Sequence, residues 1–377
     1  MNIRLFPIIA VVLALPAAPL SAAPQPSPPH YTITDLGVDL RTGESGPAGL
    51  NDAGDVAGTV DASATSSEHR AFLYHRGKIT ILGNRDIRAA AINNRGQIAC
   101  FSSRAAFLWD KGRMRQIGPL PDPFGRTGGN DLSGDVYVTG LNDRGEVVGN
   151  VFGLDGVFCP FLWQGKKMDT VFPARADRPS PFPSFSFEPR AINDLGQVVG
   201  FTHGSLLGLP PPRPILWDSG RVREEGTPGG GAICPYALNN KGQSAGMMYV
   251  GTNTHAFLWD GGNTVRDLGT AGGDRSEADG INDRGQIVGS ADIHYREVNG
   301  LDSVEWGGSR AVLWQDGQAY NLNDLIPKDA GWVLERAVAI NNRGQVVGTG
   351  CHSRDGGKSQ QGGLRIFLLT PVKSANK

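Results

Sequence analysis

The side chains with the widest chemical range recur at one place in this chain. A segment Ala-Phe-Leu-Trp, or a close variant, stands at 71–74, 106–109, 160–163, 214–217, 256–259 and 311–314, with Ile366–Leu369 as the last copy. The residue ahead of it is Arg70, Ala105, Cys159, Arg213, His255, Arg310 or Arg365. Guanidiniums and an imidazole at equivalent positions are the donor set of an anion-binding girdle. The alternative is an ion pair or hydrogen bond to a neighbouring copy, repeated each time. His69, His203, His294 and His352 lie in the connections before these segments, and so do Asp61, Glu68, Asp292 and Glu297. Converging neutral imidazoles would bind a metal or serve as a general base. Trp306, in one of the same connections, has the ring to stack on a sugar or another planar ligand.

Known chemical signatures are missing from the sequence. There is no His-Glu-x-x-His, Gly-x-Ser-x-Gly, phosphate loop or sialidase Asp box. Asn-Asp-x-Gly turns resemble fragments of calcium loops, but no copy carries the full oxygen series with its distant Glu, so they read as structural turns. Cys100, Cys159, Cys234 and Cys351 lie in different copies, show no metal-ligand spacing and allow three disulfide connectivities for four thiols. No metal or cofactor is implied.

The elements that must position these groups follow from a repeat. Ala339-Ile-Asn-Asn-Arg-Gly-Gln-Val-Val-Gly348 recurs in seven copies, whose first turn Asn residues are Asn51, Asn93, Asn142, Asn193, Asn239, Asn282 and Asn341. Their spacings of 42, 49, 51, 46, 43 and 59 residues fall in the range of propeller blades. Each unit reads as four short strands. The first ends at the turn Asn, the second is Gln-Val-Val-Gly, the third is Ala-Phe-Leu-Trp, and the fourth follows a Gly turn, as in Thr264–Gly269. Consecutive apolar residues such as Phe72-Leu73 and Val346-Val347 require cover on both faces, which neighbouring blades supply. The residue two before each turn Asn is always Gly or Ala, as expected for innermost strands crowded near an axis.

The ends of the chain complement each other. The last copy lacks its fourth strand, and Tyr31–Gly37 is a fourth strand without predecessors. The expected fold is therefore all-β: a seven-bladed β-propeller of four-stranded antiparallel blades, closed by an N-terminal strand that completes the last blade. An open solenoid would leave Tyr31–Gly37 unpaired. The short turns fall on one face, and the long, variable connections fall on the other. Binding is expected on the long-loop face.

Residues 1–22 read as a signal peptide, with Arg4 ahead of an apolar run and small residues at the exit. Residues 23–30 are a Pro-rich tether, 31–371 the single propeller domain and 372–377 a tail. Export to the periplasm or the extracellular medium follows, with no membrane span after cleavage. Formal charge is −1, or −2 without the leader, which leaves no basic field for nucleic acid. Gly (53) and Pro (25) suit a chain of many tight turns.

At His255-Ala-Phe-Leu-Trp259 and Ala339–Gly348 the chain resembles the bacterial HAF-repeat family of probable extracellular proteins. Thr264–Gly273, and Asn321–Pro327 with Gly331-Trp332, are similar to further segments of that family. The resemblance spans roughly Tyr31–Pro371 and implies a secreted, propeller-like repeat protein. It supplies no catalytic residues, and His-Ala-Phe itself survives here only at His255. The expected role is non-catalytic binding of a carbohydrate, envelope polymer or protein. The alternative is a secreted polysaccharide hydrolase or lyase using His and acidic loop residues, and a structural role in the envelope is a third reading.

Overall fold

The computed structural model describes residues 28–40, 45–62, 68–83, 86–118, 135–152, 158–170, 186–203, 212–224, 231–260, 264–294, 306–352 and 363–372. The signal-peptide reading and most of the tether and tail lie outside these residues, as does Glu297.

The chain opens with β1 (Tyr31–Leu40). Blade 1 follows as β2 (Gly46–Leu50), β3 (Val56–Asp61), β4 (His69–His75) and β5 (Lys78–Leu82). Blade 2 is β6 (Arg88–Ile92), β7 (Ile98–Ser102), β8 (Ala105–Asp110) and β9 (Arg113–Ile117). Blade 3 is β10 (Asp135–Leu141), β11 (Val147–Phe152), β12 (Phe158–Gln164) and β13 (Lys167–Thr170). Blade 4 is β14 (Ser186–Ile192), β15 (Val198–His203), β16 (Pro214–Asp218) and β17 (Arg221–Glu224). Blade 5 is β18 (Ile233–Leu238), β19 (Ser244–Val250), β20 (Asn253–Trp259) and β21 (Val265–Gly269). Blade 6 is β22 (Ser276–Ile281), β23 (Ile287–His294), β24 (Trp306–Gln315) and β25 (Gln318–Asn321). Blade 7 takes β26 (Trp332–Ile340), β27 (Val346–His352) and β28 (Leu364–Pro371) from the end of the chain, and its outer strand is β1.

Closure is therefore three strands plus one. In the β1–β28 pairing Ile33 lies opposite Leu369, and Asp35 lies opposite Phe367. Leu36, Val38 and Leu40 of β1 share a core with Val347, Ile366 and Leu368 of blade 7 and with Leu50, Val56 and Phe72 of blade 1. That cluster is the seam of the ring. Other cores also lie between blades: Ala99 and Leu108 of blade 2 pack with Val138, Phe161 and Trp163 of blade 3. Val198-Val199 and Val346-Val347 are wholly buried on both faces of their strands, as consecutive apolar residues demand.

Two kinds of glycine set the strand geometry. A Cβ added at Gly49 or Gly140 would come within 3.3 or 3.2 Å of the Ile on the next blade's inner strand, so Ala is tolerated there and nothing larger. The glycines that end Val-Val-Gly answer a second constraint. Every innermost strand carries a bulge just before the Gly/Ala position, for example between Ala278 and Gly280 or between Pro189 and Ala191. The carbonyl ahead of the bulge leans over the second strand, so that a Cβ at Gly289 would collide with Glu277 O and one at Gly200 with Glu188 O.

Several strands outrun their expected bounds. Trp306 begins β24 opposite His294 of β23, so this sixth-blade connection is partly an extended hairpin. Ladder hydrogen bonds are made by the backbone and need no apolar side chains, which is why the apolar pattern stopped short.

Candidate functional site

At the turn end of the inner strands, seven Asn side chains form a closed clasp. Each Oδ1 caps its own turn, accepting for instance from Ala53 N and Asp55 N at Asn51. Each Nδ2 donates to the carbonyl of the corresponding Asn on the next blade: Asn51 to Asn93, then onward through Asn142, Asn193, Asn239 and Asn282 to Asn341. Asn341 returns the chain to Asn51 O at 2.8 Å. These side chains are 3–4% exposed.

A second ring runs beside the first. The backbone N–H of Asp52 donates to Asn94 Oδ1, that of Asn94 to Asp143 Oδ1, and so on through Asp194, Asn240, Asp283 and Asn342. Asn342 N closes it on Asp52 Oδ1 at 2.8 Å. Neighbouring Asn amides take up the remaining carboxylate oxygens, as Asn240 does with Asp194 and Asp283. The two rings and a collar of Leu and Ile surround a cavity of about 160 Å³. The reading of these turns as structural holds, and the structure adds that they also tie blade to blade. The signal for the second ring was present in the sequence, since the residue after every turn Asn is itself Asp or Asn.

Above the clasp the inner strands differ from blade to blade. Arg190 pairs with Glu188 at 2.6 Å and lies over the Tyr236 ring at 5.0 Å. Arg336 of blade 7 grips Asp279 of blade 6 through two hydrogen bonds and lies 3.6 Å from Glu277. Burial pushes the Asp279 carboxyl up to about 6, against the opposing pull of Arg336. Burial likewise raises the Tyr236 phenol.

The groups singled out in the sequence are dispersed over the long-loop face. Arg70 binds Glu68 at 2.9 Å, and His255 Nδ1 meets Asp267 Oδ2 at 2.9 Å. Arg365 bridges Asp35 and Asp39 of β1. These partners belong to the same blade, so where an ion pair forms it is internal to the blade. For His255 and Arg365 the partner is on the adjacent outer strand, one ladder spacing away, and for Arg70 it is Glu68, two residues earlier in the connection to β4. Arg310 donates to Ser309 O at 2.9 Å, and Arg213 is exposed just before β16. His203 and His294 end β15 and β23. Arg70 and Glu68 meet directly, and Asp35 of β1, which the sequence did not single out, gathers two more predicted residues: it binds Arg365 and lies 3.8 Å from His352 Nδ1. The His352 ring stacks on Trp332 at 4.8 Å.

His69 is 4% exposed and sits between blades 1 and 2. Its Nδ1 faces Arg88 Nη2 at 3.2 Å. The same nitrogen lies 3.5 Å from Asp86 Oδ1, and Nε2 lies 3.8 Å from Asp61 Oδ1. His69 and His352 share no carboxylate. No group of three or more His, Cys, Asp or Glu among the described residues is arranged to hold a metal. The cysteines are thiols, and burial pushes Cys100 up to about 12 and Cys234 to about 11.

Sequence reasoning missed a second cavity, of about 120 Å³, between blades 2 and 3 at the long-loop end. Its walls include Arg88 and Tyr137, which occupy the same repeat position, five before the turn Asn. That position reads Gly46, Arg88, Tyr137, Glu188, Cys234, Glu277 and Arg336 around the ring. Its variability, beside an invariant turn, was the available signal.

The fold and this arrangement define a seven-bladed β-propeller, and solved structures agree on the class. The chain is similar to the β-propeller domain of the Trilobed protease from Pyrococcus furiosus, with 12% identity and TM-score 0.50, covering 92% of this chain and 99% of that one. It is similar to oligogalacturonate lyase from Vibrio parahaemolyticus, with 10% identity and TM-score 0.55, covering 92% and 98%. A third likeness is YCF48 from Cyanidioschyzon merolae, with 9% identity and TM-score 0.52, covering 90% and 98%. At such identity the likeness concerns the fold alone. No family model and no curated protein matches the chain in sequence. No helix among the described residues is long and apolar enough to cross a membrane.

Proposed function

We propose that this chain is an exported, non-catalytic binding propeller of HAF-repeat type, presenting its long-loop face to an extracellular or periplasmic carbohydrate, envelope polymer or protein. One observation carries the reading. At the turn end the same Asn and Asp/Asn groups recur in every blade and are taken up by ring hydrogen bonds. At the opposite end the equivalent inner-strand position carries five different residue types in seven blades. Repetition maintains a scaffold, whereas variation on a rigid scaffold is what recognition uses. The leader, the Pro-rich tether and the resemblance at His255–Trp259 support export.

Binding of the mature protein to glycan and protein arrays tests this. Trp306→Ala and Tyr249→Ala, both on the long-loop face, are expected to weaken a captured ligand at least tenfold, while Arg343→Ala at the turns leaves it unchanged. Sensitivity to Arg343→Ala alone, or turnover of the captured polymer, sinks the proposal.

A further inference from the structure

The cavity between blades 2 and 3 has an asymmetric construction. One wall is held from behind. The Asp86 carboxylate accepts the His69 backbone N–H at 2.7 Å, and Arg88 is tied to the buried His69 ring at 3.2 Å. The opposite wall is β10, fastened to blade 2 by a hydrogen bond from Val136 N to Ser103 O at 3.0 Å. From β10 the cavity receives Asp135 and Tyr137, and from β7 it receives Phe101 and Ser102. Tyr137 is 40% exposed, and its ring meets Phe101 at 5.9 Å with a 51° tilt. Among the described residues the Asp135 carboxylate and the Tyr137 hydroxyl have no hydrogen-bond partner.

Size and chemistry together narrow the occupant. A volume of about 120 Å³ is far below the roughly 300–1,000 Å³ of sites that enclose a drug-sized ligand, so one ring of a longer molecule fits. Two carboxylates repel an anion. Arg88 repels an ammonium. A molecule whose hydroxyls donate to the Asp135 carboxylate and exchange hydrogen bonds with the Tyr137 hydroxyl, and whose C–H face covers the Tyr137 ring, satisfies both unpartnered groups. That description is a pyranose without ionised substituents. We propose that the cavity is a subsite for one neutral sugar residue of an oligosaccharide or polysaccharide, and that it lies within the binding face described above, on which it rests.

Calorimetric titration of the mature chain tests this with cellohexaose, maltohexaose, laminarihexaose and N-acetylchitohexaose as neutral probes. Hexagalacturonate and hexalysine serve as the anionic and cationic arms. At least one neutral oligomer is expected to bind, with Tyr137→Ala and Asp135→Asn each weakening it tenfold or more at an unchanged melting temperature. The conservative Tyr137→Phe keeps the stacking face and should retain most of the affinity. Binding confined to a charged arm, neutral binding indifferent to both substitutions, or no neutral binding overturns the subsite. If the arrays meanwhile yield a ligand lost in Trp306→Ala, the loop-face reading stands while the sugar subsite falls.

Discussion

Asp279 shows how the inner strands trade burial against charge. Burial and the nearby Glu277 raise its carboxyl to about 6 in the folded protein from 3.8, while Arg336 pulls the other way. Between those values the folded state binds more protons than the unfolded chain, so this group's contribution favours folding at low pH. It declines as pH rises from about 4 to about 6, and it is flat above. Asp279→Asn removes the titration yet leaves an amide oxygen for Arg336. The unfolding free energy of the wild type minus that of the variant should therefore fall across this window in urea titrations at stepped pH. A difference that does not change with pH would contradict the assignment. Residue identity also marks one local exception: blade 2 places Cys100 where most blades have the Val-Val-Gly glycine, facing Ala89 beside its own bulge. The structure shows the substitution without a compensating feature that explains it.

Among the elements, the turn between the first and second strands carries the ring. Each turn Asn satisfies two backbone N–H groups of its own blade and one carbonyl of the next, as Asn341 does with Arg343 N, Gln345 N and Asn51 O. Asn341→Ala leaves those groups unpaired in a site that is 4% exposed. With unsatisfied buried groups costing about 1–3 kcal/mol each, a partly additive loss of about 2–4 kcal/mol is expected in urea midpoint measurements. Arg343→Ala, two residues away and exposed, should stay within about 0.5 kcal/mol. Equal effects of the two would show that the clasp contributes little.

For the whole molecule, closure is the deciding feature. β1 supplies Tyr31, Leu36, Val38 and Leu40 to two cores, each of these residues at most 7% exposed, and it covers the edge of β28. Deleting 31–40 removes that apolar cover and bares a row of unpaired backbone groups. The truncated chain is expected to self-associate in light scattering and to lose its single cooperative thermal transition. A monomeric, cooperatively unfolding truncation would show that the ring holds without its first strand.

Sequence alone determined the seven-fold period, the strand sequence within a blade, the Gly/Ala inner position and the pairing of the first strand with the last. These are legible because each blade must solve the same local packing problem, so the solution is written seven times. Tertiary structure alone decided which polar groups meet. Asp86 and Tyr137 come from different blades, and the ion pairs of Arg70, His255 and Arg365 depend on side-chain reach within a twisted sheet. Packing of neighbouring blades puts Asp86 and Tyr137 on one cavity, the ion pairs of Arg70 and His255 form inside a single blade, and that of Arg365 needs β1 laid against β28.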